Sequence, residues 1–261
     1  MITFKDLGNY GRLGNQMFQY ALLKSVSDRT GYDMVIPAGN YDLLKMNIEC
    51  VKMPKDKLSM NVTRCRSFNE RFFHFDPAVF NIKNNTNFHG YFQSYKYFEQ
   101  IKNELHKEYT PNNNIHDICR SYVEDIRKDC DGLVGVHVRR CDYMRLPDYH
   151  PFPGRRYYEK CMAYFRARGN YKFLICSDDL EWCKRNINGD DVFYPKVSNM
   201  YFDFMIFRLC DHNIIANSSF SWWAAWLEDF GERIVFYPKT WMGFKGPQDW
   251  QDLVPGNWKA V

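Results

Sequence analysis

The chain has 261 residues, 45% of them hydrophobic and 18% aromatic, with 35 basic against 31 acidic side chains and a net charge of +4. That composition supplies one large or two small packed cores and argues against disorder; so mild a positive balance, spread along the chain, argues against a nucleic-acid binder. Nine cysteines without a C-x-x-C pair exclude a zinc knuckle and fit small buried hydrophobes in a reducing compartment.

In chain order, Ile2 to Phe4 reads as a short strand, followed by the loop "GNYGRLGN". A helix is expected from about Gln16, with Phe18, Ala21, Leu22 and Val26 on one face and Gly31 as its stop. "YDMVIP" is a second strand, ended by Pro37. Residues 38 to 109 read as irregular and aromatic-rich, with one strand-to-helix passage in "FHGYFQSYKYFEQIKNEL". "TPNNN" at 110–114 is the linker candidate, because proline and asparagines are turn formers. These signals divide the chain into domains at 1–114 and 115–261, with a C-terminal tail able to pack back on the first.

The second half is regular. A helix near 115–129 leads to the strand "GLVGVHV", then a helix near 155–168, the strand "KFLIC", the helix "LEWCKRN" and the strand "DVFYP". A helix near 200–210, the strand "NIIA", a helix from Phe220 to Asp229 and the strand "RIVFYP" complete the series. Five strands alternating with four helices call for a parallel sheet covered on both faces. Ligands of such sheets bind beyond the carboxyl ends of the strands, so the residues after each strand are diagnostic.

Those positions carry "RRCD" (139–142), "SDD" (177–179) and "NSSF" (217–220). Each also has a plain reading: solvated loop charges for Arg139 and Arg140, and helix caps for Ser177 to Asp179 and for Asn217 to Ser219. In a parallel sheet all three converge on one crevice. Paired arginines match phosphate oxygens, a helix beginning at Ser219 or Phe220 offers free N–H groups to an anion, and an aspartate accepts from ribose or purine. The combination describes a nucleotide diphosphate site with no obligatory metal. "DCD" at 129–131 resembles a metal-binding D-x-D but precedes its strand, so a metal reading rests better on "SDD".

"HVRRCD" resembles the H-x-R-R-x-D motif of the α-1,2-fucosyltransferases, the inverting family that uses GDP-fucose. "GRLGNQMFQYA", "HGYFQSYKYF", "FLICSDDLEWCK", "DHNIIANSSFSWWAAWL" and "DLVPGNWKAV" are similar to its other blocks in the same order; residues 38 to 87 show little likeness. The resemblance implies an α/β chain of two facing Rossmann-like domains, the GT-B-type glycosyltransferase fold, with the acceptor on the N-terminal side and GDP-fucose on the C-terminal one. It implies Arg139 on the β-phosphate, with His137 and Arg140 beside it. Asp178 falls near the guanine or ribose, with Ser177 among the donor-binding residues, and Ser218, Ser219 and Phe220 near phosphate and base. Gly11, Gly14 and Asn15 fall in a loop reaching the donor. His137 reads equally as a satisfied buried strand residue.

The activity implied is transfer of fucose to a glycan hydroxyl, O2 of a galactose-type sugar, with inversion and without metal or other cofactor. Asp142 is the positional candidate for general base, or else the partner of Arg140. Cys141 stands where the family has glycine; a required positive φ there would strain the turn. Arg12 and Ala224 also replace usual glycines. The proline-broken loop 143–156 is placed to shape acceptor choice. With no apolar stretch approaching 18 residues and no signal pattern, the expectation is a cytoplasmic bacterial-type or viral enzyme without membrane anchor; the sequons at Asn61, Asn84 and Asn217 then go unused. The alternatives are a non-catalytic nucleotide-sugar or glycan-binding module of the same fold, with Cys141 as the damage, and a transferase using another GDP-hexose.

Overall fold

The computed structural model describes all residues except Asn112, Ser198, Asp229 and Phe230. It divides into one unit of Met1–Thr110 with Asp249–Pro255 and another of Pro111–Gln248 with Gly256–Val261.

The first unit is a five-stranded parallel sheet. It contains β1 (Ile2–Thr3), α1 (Leu13–Thr30), β2 (Met34–Pro37), β3 (Val51–Met53), α2 (Lys55–Val62), β4 (Arg66–Asn69), β5 (Thr86–His89) and α3 (Lys102–Glu108). The strand order is β3-β2-β1-β5-β4, and every pairing is parallel. The region expected to be irregular therefore holds β3, α2 and β4. α1 begins at Leu13, three residues before the expected Gln16, so Gly14 and Asn15 lie in its first turn. Gly31 ends it in the left-handed conformation, φ 70°. Phe4, Phe88, Phe92 and Tyr97 form an aromatic core with ring centroids 5.5–6.0 Å apart. The segment 249–255 closes this unit: the Asp249 carboxylate accepts the Phe73 N–H at 2.8 Å and that of Asp252 accepts the Phe75 N–H at 3.1 Å.

The second unit runs α4 (Asn113–Arg127), β6 (Gly132–Val138), α5 (Arg155–Arg166), β7 (Tyr171–Ser177), α6 (Leu180–Asn186), β8 (Val192–Phe193), α7 (Met200–Arg208), β9 (His212–Ile214), α8 (Ser219–Leu227), β10 (Val235–Tyr237) and β11 (Lys259–Ala260). The "TPNNN" segment leads directly into α4, and its Asn112 lies outside the described residues, as does Asp229 at the expected end of the α8 helix. The sheet order is β11-β10-β9-β6-β7-β8, all parallel; β11 adds a strand that the sequence pattern does not announce. Counted from β6, this is the 3-2-1-4-5-6 order of dinucleotide-binding sheets, whose switch point lies between the first and fourth strands. Here those are β6 and β9.

β6 is buried along its whole length, as a strand covered on both faces must be. Val134, Val136 and Val138 pack on one face with Tyr158, Cys161 and Phe165 of α5. His137 points to the other face, against Phe207 of α7 and Phe220 of α8 at 6.0 and 5.3 Å. Among the described residues no helix is long and apolar enough to cross a membrane.

Candidate active site

Val138 is in register with Ser177, so the chain leaves β6 and β7 side by side and sets "RRCD" against "SDD". Successive residues of an extended chain point to opposite sides, and the two arginines separate accordingly. Arg139 Nη2 donates to Asp142 Oδ2 at 2.6 Å and Nη1 lies 3.3 Å from Asp178 Oδ2, with the arginine side chain 16% exposed. Arg140 Nε donates to Asp179 Oδ2 at 3.0 Å, and its guanidinium lies 4.3 Å from the Trp182 ring and 4.7 Å from that of Phe152. Asp142 therefore pairs with Arg139, three residues back across a tight turn, and not with Arg140. Arg140 has its charge matched by Asp179 and its plane covered by rings, an arrangement that fixes the turn.

Of the two aspartates, Asp179 is the cap. Its side chain accepts the Trp182 N–H at 3.1 Å, and Arg140 and this N–H hold its carboxyl below the usual range against the opposing effect of burial. Ser177 Oγ accepts the Asp179 N–H. Asp178 is engaged differently, since Oδ1 accepts the Arg140 main-chain N–H at 2.9 Å while Oδ2 faces Arg139. Its carboxylate thus braces the arginine turn from both sides. Cys141 is exposed and its thiol donates to the Asp178 carbonyl at 3.1 Å. Its φ is not positive, so cysteine sits there without the strain that a glycine-only turn would impose.

On the other side of β6, α8 opens at the switch point. Ser218 occupies the cap position, but its side chain makes no capping bond, so the capping reading of this serine fails. Ser219 and Phe220 form the first turn, and the Phe220 ring lies over His137. Burial of the His137 imidazole, with Arg139 adding to it, pushes its pKa down to about 3, which keeps the ring neutral. His137 Nδ1 and Arg139 Nε are buried and without a hydrogen-bond partner among the described residues. Buried polar atoms left unmatched cost about 1–3 kcal/mol each, so two at one strand end make it a candidate place for a polar ligand or an ordered water.

Tyr143 and His150, which the sequence did not single out, join the site, and Asn217 takes a part in it other than the helix cap. The Tyr143 hydroxyl donates to the Asn217 carbonyl at 2.8 Å, and burial pushes it up to about 12. His150 stacks on the Tyr143 ring at 4.7 Å, and burial lowers its pKa. The Asn217 amide donates to the carbonyls of Pro151 and Trp241 at 3.1 and 2.9 Å. These ties cross 66 and 24 residues, and no local spacing signals them.

In the first unit, Gly11 has φ +78°, and a Cβ there would stand 2.1 Å from the Asn15 amide nitrogen; only glycine suits it. Gln16 donates to the Gly11 carbonyl at 3.2 Å and accepts the Leu43 N–H at 2.9 Å, while Gln93 donates to Asn15 at 2.8 Å. Gly11, Gly14 and Asn15 thus form a braced loop and helix start beyond β1, beside the β1–β5 switch of their own sheet. Asp129 and Asp131 of "DCD" precede β6, at the rim opposite Arg139; both are tied to Asn170, through the Asp129 carbonyl and the Asp131 carboxylate. Among the described residues no group of three or more His, Cys, Asp or Glu side chains is arranged to hold a metal ion.

Two parallel α/β units, one with an arginine and a helix N-terminus at a dinucleotide-type switch point, are the architecture of GT-B-type glycosyltransferases. The solved structure of the fucosyltransferase NodZ from Bradyrhizobium superimposes with a TM-score of 0.53 at 16% identity, over 87% of this chain and 92% of that one. POFUT1 in complex with GDP superimposes with a TM-score of 0.51 at 12% identity, over 91% and 97%. The sequence profile of glycosyl transferase family 11 matches residues 3–260, and the chain belongs to that family. It is 31% identical to an α-1,2-colitosyltransferase of Escherichia coli, over 88% of this chain and 90% of that protein. It is 29% identical to galactoside α-(1,2)-fucosyltransferase 2 of Rattus norvegicus, over 85% of this chain and 66% of the rat enzyme.

Proposed function

We propose that the chain transfers fucose from GDP-β-L-fucose to a glycan hydroxyl, O2 of a galactose-type sugar, with inversion and without a metal. The observation that carries this reading is Arg139, held between Asp142 and Asp178 at the end of β6 and beside the start of α8. The fork and the helix N-terminus together suit a diphosphate.

In the reaction the bond between the anomeric carbon and the β-phosphate oxygen breaks, and its electron pair stays on GDP. Arg139 and the first-turn N–H groups of α8 stabilise that growing charge, a role that a divalent cation fills elsewhere. The acceptor oxygen bonds to the anomeric carbon from the opposite face, so a β-linked donor gives an α-linked product. Its proton passes to Asp142, the carboxylate nearest the phosphate-side arginine. Asp178 positions Arg139, and Arg140 with Asp179 holds the turn.

A second reading keeps the site and changes the sugar to another GDP-hexose, and the likeness to a colitosyltransferase favours it. The non-catalytic reading has Cys141 as its damage, and Cys141 does not carry the positive φ that would strain the turn. A donor panel separates these readings. GDP and GDP-fucose at about 100 times their Kd stabilise the fold by about 2.7 kcal/mol, read as a raised Tm. A Tm raised by UDP-sugars and by no guanine nucleotide overturns the proposal; a larger rise with a different GDP-hexose selects the second reading.

A further inference from the structure

Two loops of the second unit expose large apolar side chains next to the donor rim. In the loop after β6, Leu146 is 51% and Tyr149 45% exposed; in the loop after β10, Phe244 is 75% exposed. The loops are pinned to one another by their backbones: the Gly243 N–H donates to the Tyr149 carbonyl at 2.9 Å and the Lys245 N–H to the Asp148 carbonyl at 3.0 Å. The Lys245 ammonium also pairs with the Asp148 carboxylate at 2.7 Å. Gly243 is required for this approach, because a Cβ there would fall 2.1 Å from the Asp148 carbonyl oxygen. Asn217, immediately before the Ser218 cap of α8, holds both loops through Pro151 and Trp241. The exposed rings are thus fixed to the same strand end that carries the phosphate-binding groups.

Exposed apolar side chains gathered on two loops that are pinned together offer a binding surface. Here Leu146, Tyr149 and Phe244 are interleaved with Asp148, Lys245 and the Tyr149 hydroxyl. That alternation matches a pyranose, which offers a C–H face to a ring and hydroxyls to charged neighbours; a lipid surface would be met by unbroken apolar area. Resting on the proposed function, and placing the acceptor on the second unit where the resemblance implied the N-terminal side, we infer that the paired loops 146–149 and 243–245 form the acceptor-sugar subsite, with Phe244 and Tyr149 as its stacking platform and Asp148 and Lys245 binding hydroxyls.

The test uses the full chain with GDP-fucose and a set of β-galactosides, lactose among them. Phe244→Ala raises the KM for the galactoside about tenfold, the worth of one aromatic contact, while kcat and GDP affinity stay within about twofold. Gly243→Ala raises the same KM by separating the loops, whereas Phe244→Tyr, which keeps the ring, leaves it near that of the parent. An unchanged KM in Phe244→Ala, with transfer intact, overturns the subsite and leaves the proposed function standing. Phosphatidylglycerol vesicles that bind the parent and not Phe244→Ala, with KM unchanged, make the patch a membrane contact. A Phe244-dependent dimer in sedimentation, again with KM unchanged, makes it a self-association face. A parent that transfers to no galactoside refutes the proposed function itself, and the subsite with it.

Discussion

Replacing Arg139 by lysine keeps the charge and removes the fork. Two separate nitrogens of Arg139 meet two carboxylates, at 2.6 Å for Asp142 and 3.3 Å for Asp178, and one ammonium on a flexible stem cannot hold both. One contact is lost, but Asp142 is 44% exposed and Asp178 keeps the Arg140 N–H, so the cost to stability is about 1 kcal/mol. In a chain of this size that lowers Tm by about 2–4 °C per kcal/mol, a modest loss that leaves the fold intact. The larger effect falls on turnover. Negative charge on the diphosphate grows as the glycosidic bond breaks, so losing a preorganised donor there costs about 3–4 kcal/mol, on the order of 10²- to 10³-fold in kcat. The assay is GDP release at saturating galactoside, with GDP-fucose affinity measured separately; affinity falls only moderately. Turnover of Arg139→Lys within a few-fold of the parent refutes the assignment, because solvated loop charges would tolerate the swap.

Arg140→Lys loses the cover of Trp182 and Phe152 and is expected to lower Tm while retaining more turnover than Arg139→Lys; the reverse order would exchange their roles. Asp178→Asn keeps an acceptor for the Arg140 N–H but removes the charge facing Arg139, so kcat and GDP affinity should fall more than Tm, and unchanged kinetics would remove Asp178 from the site. EDTA should leave activity in place, whereas a loss restored by Mn or Mg would shift the chemistry to a metal held by Asp178 and Asp179. Burial lowers the His137 pKa to about 3; the folded state therefore binds fewer protons than the unfolded one, and the stability linked to this group is present above about pH 6.5 and lost as pH falls toward about 3. The slope approaches about 1.4 kcal/mol per pH unit. Urea melts between about pH 7 and 4.5 should show it in the parent and not in His137→Phe, and equal slopes would contradict it.

The two halves of the chain differ in how much their sequence discloses, and burial explains why. β6 and β7 lie inside the second sheet, so their apolar runs are continuous, and α6 follows an aspartate that caps it; these elements are legible residue by residue. β3 and β4 are the edge strands of the first sheet, and their residues are mostly exposed, so "VKM" and "RSFN" carry no apolar period to read. β11 is a two-residue exposed edge of the same kind. At the site, the strand-end positions of Arg139, Asp178 and Ser218 follow from alternating pattern alone, but their pairings do not. Whether Asp142 meets Arg139 or Arg140 depends on how the turn folds, and Arg140 is drawn away by Trp182 of α6 and Phe152 of the loop before α5. The Asn217 ties to Pro151 and Trp241 are set by tertiary structure.

The claim that a GDP-linked fucosyl group is moved to a sugar with inversion is tested most directly by the product. The protein is incubated with GDP-fucose and lactose, GDP is quantified with and without the acceptor, and the isolated trisaccharide is analysed by NMR. The expected result is GDP release that depends on the acceptor and an α-linked fucose on O2 of galactose. A β-linked product, or GDP release indifferent to the acceptor with no trisaccharide formed, would contradict the claim.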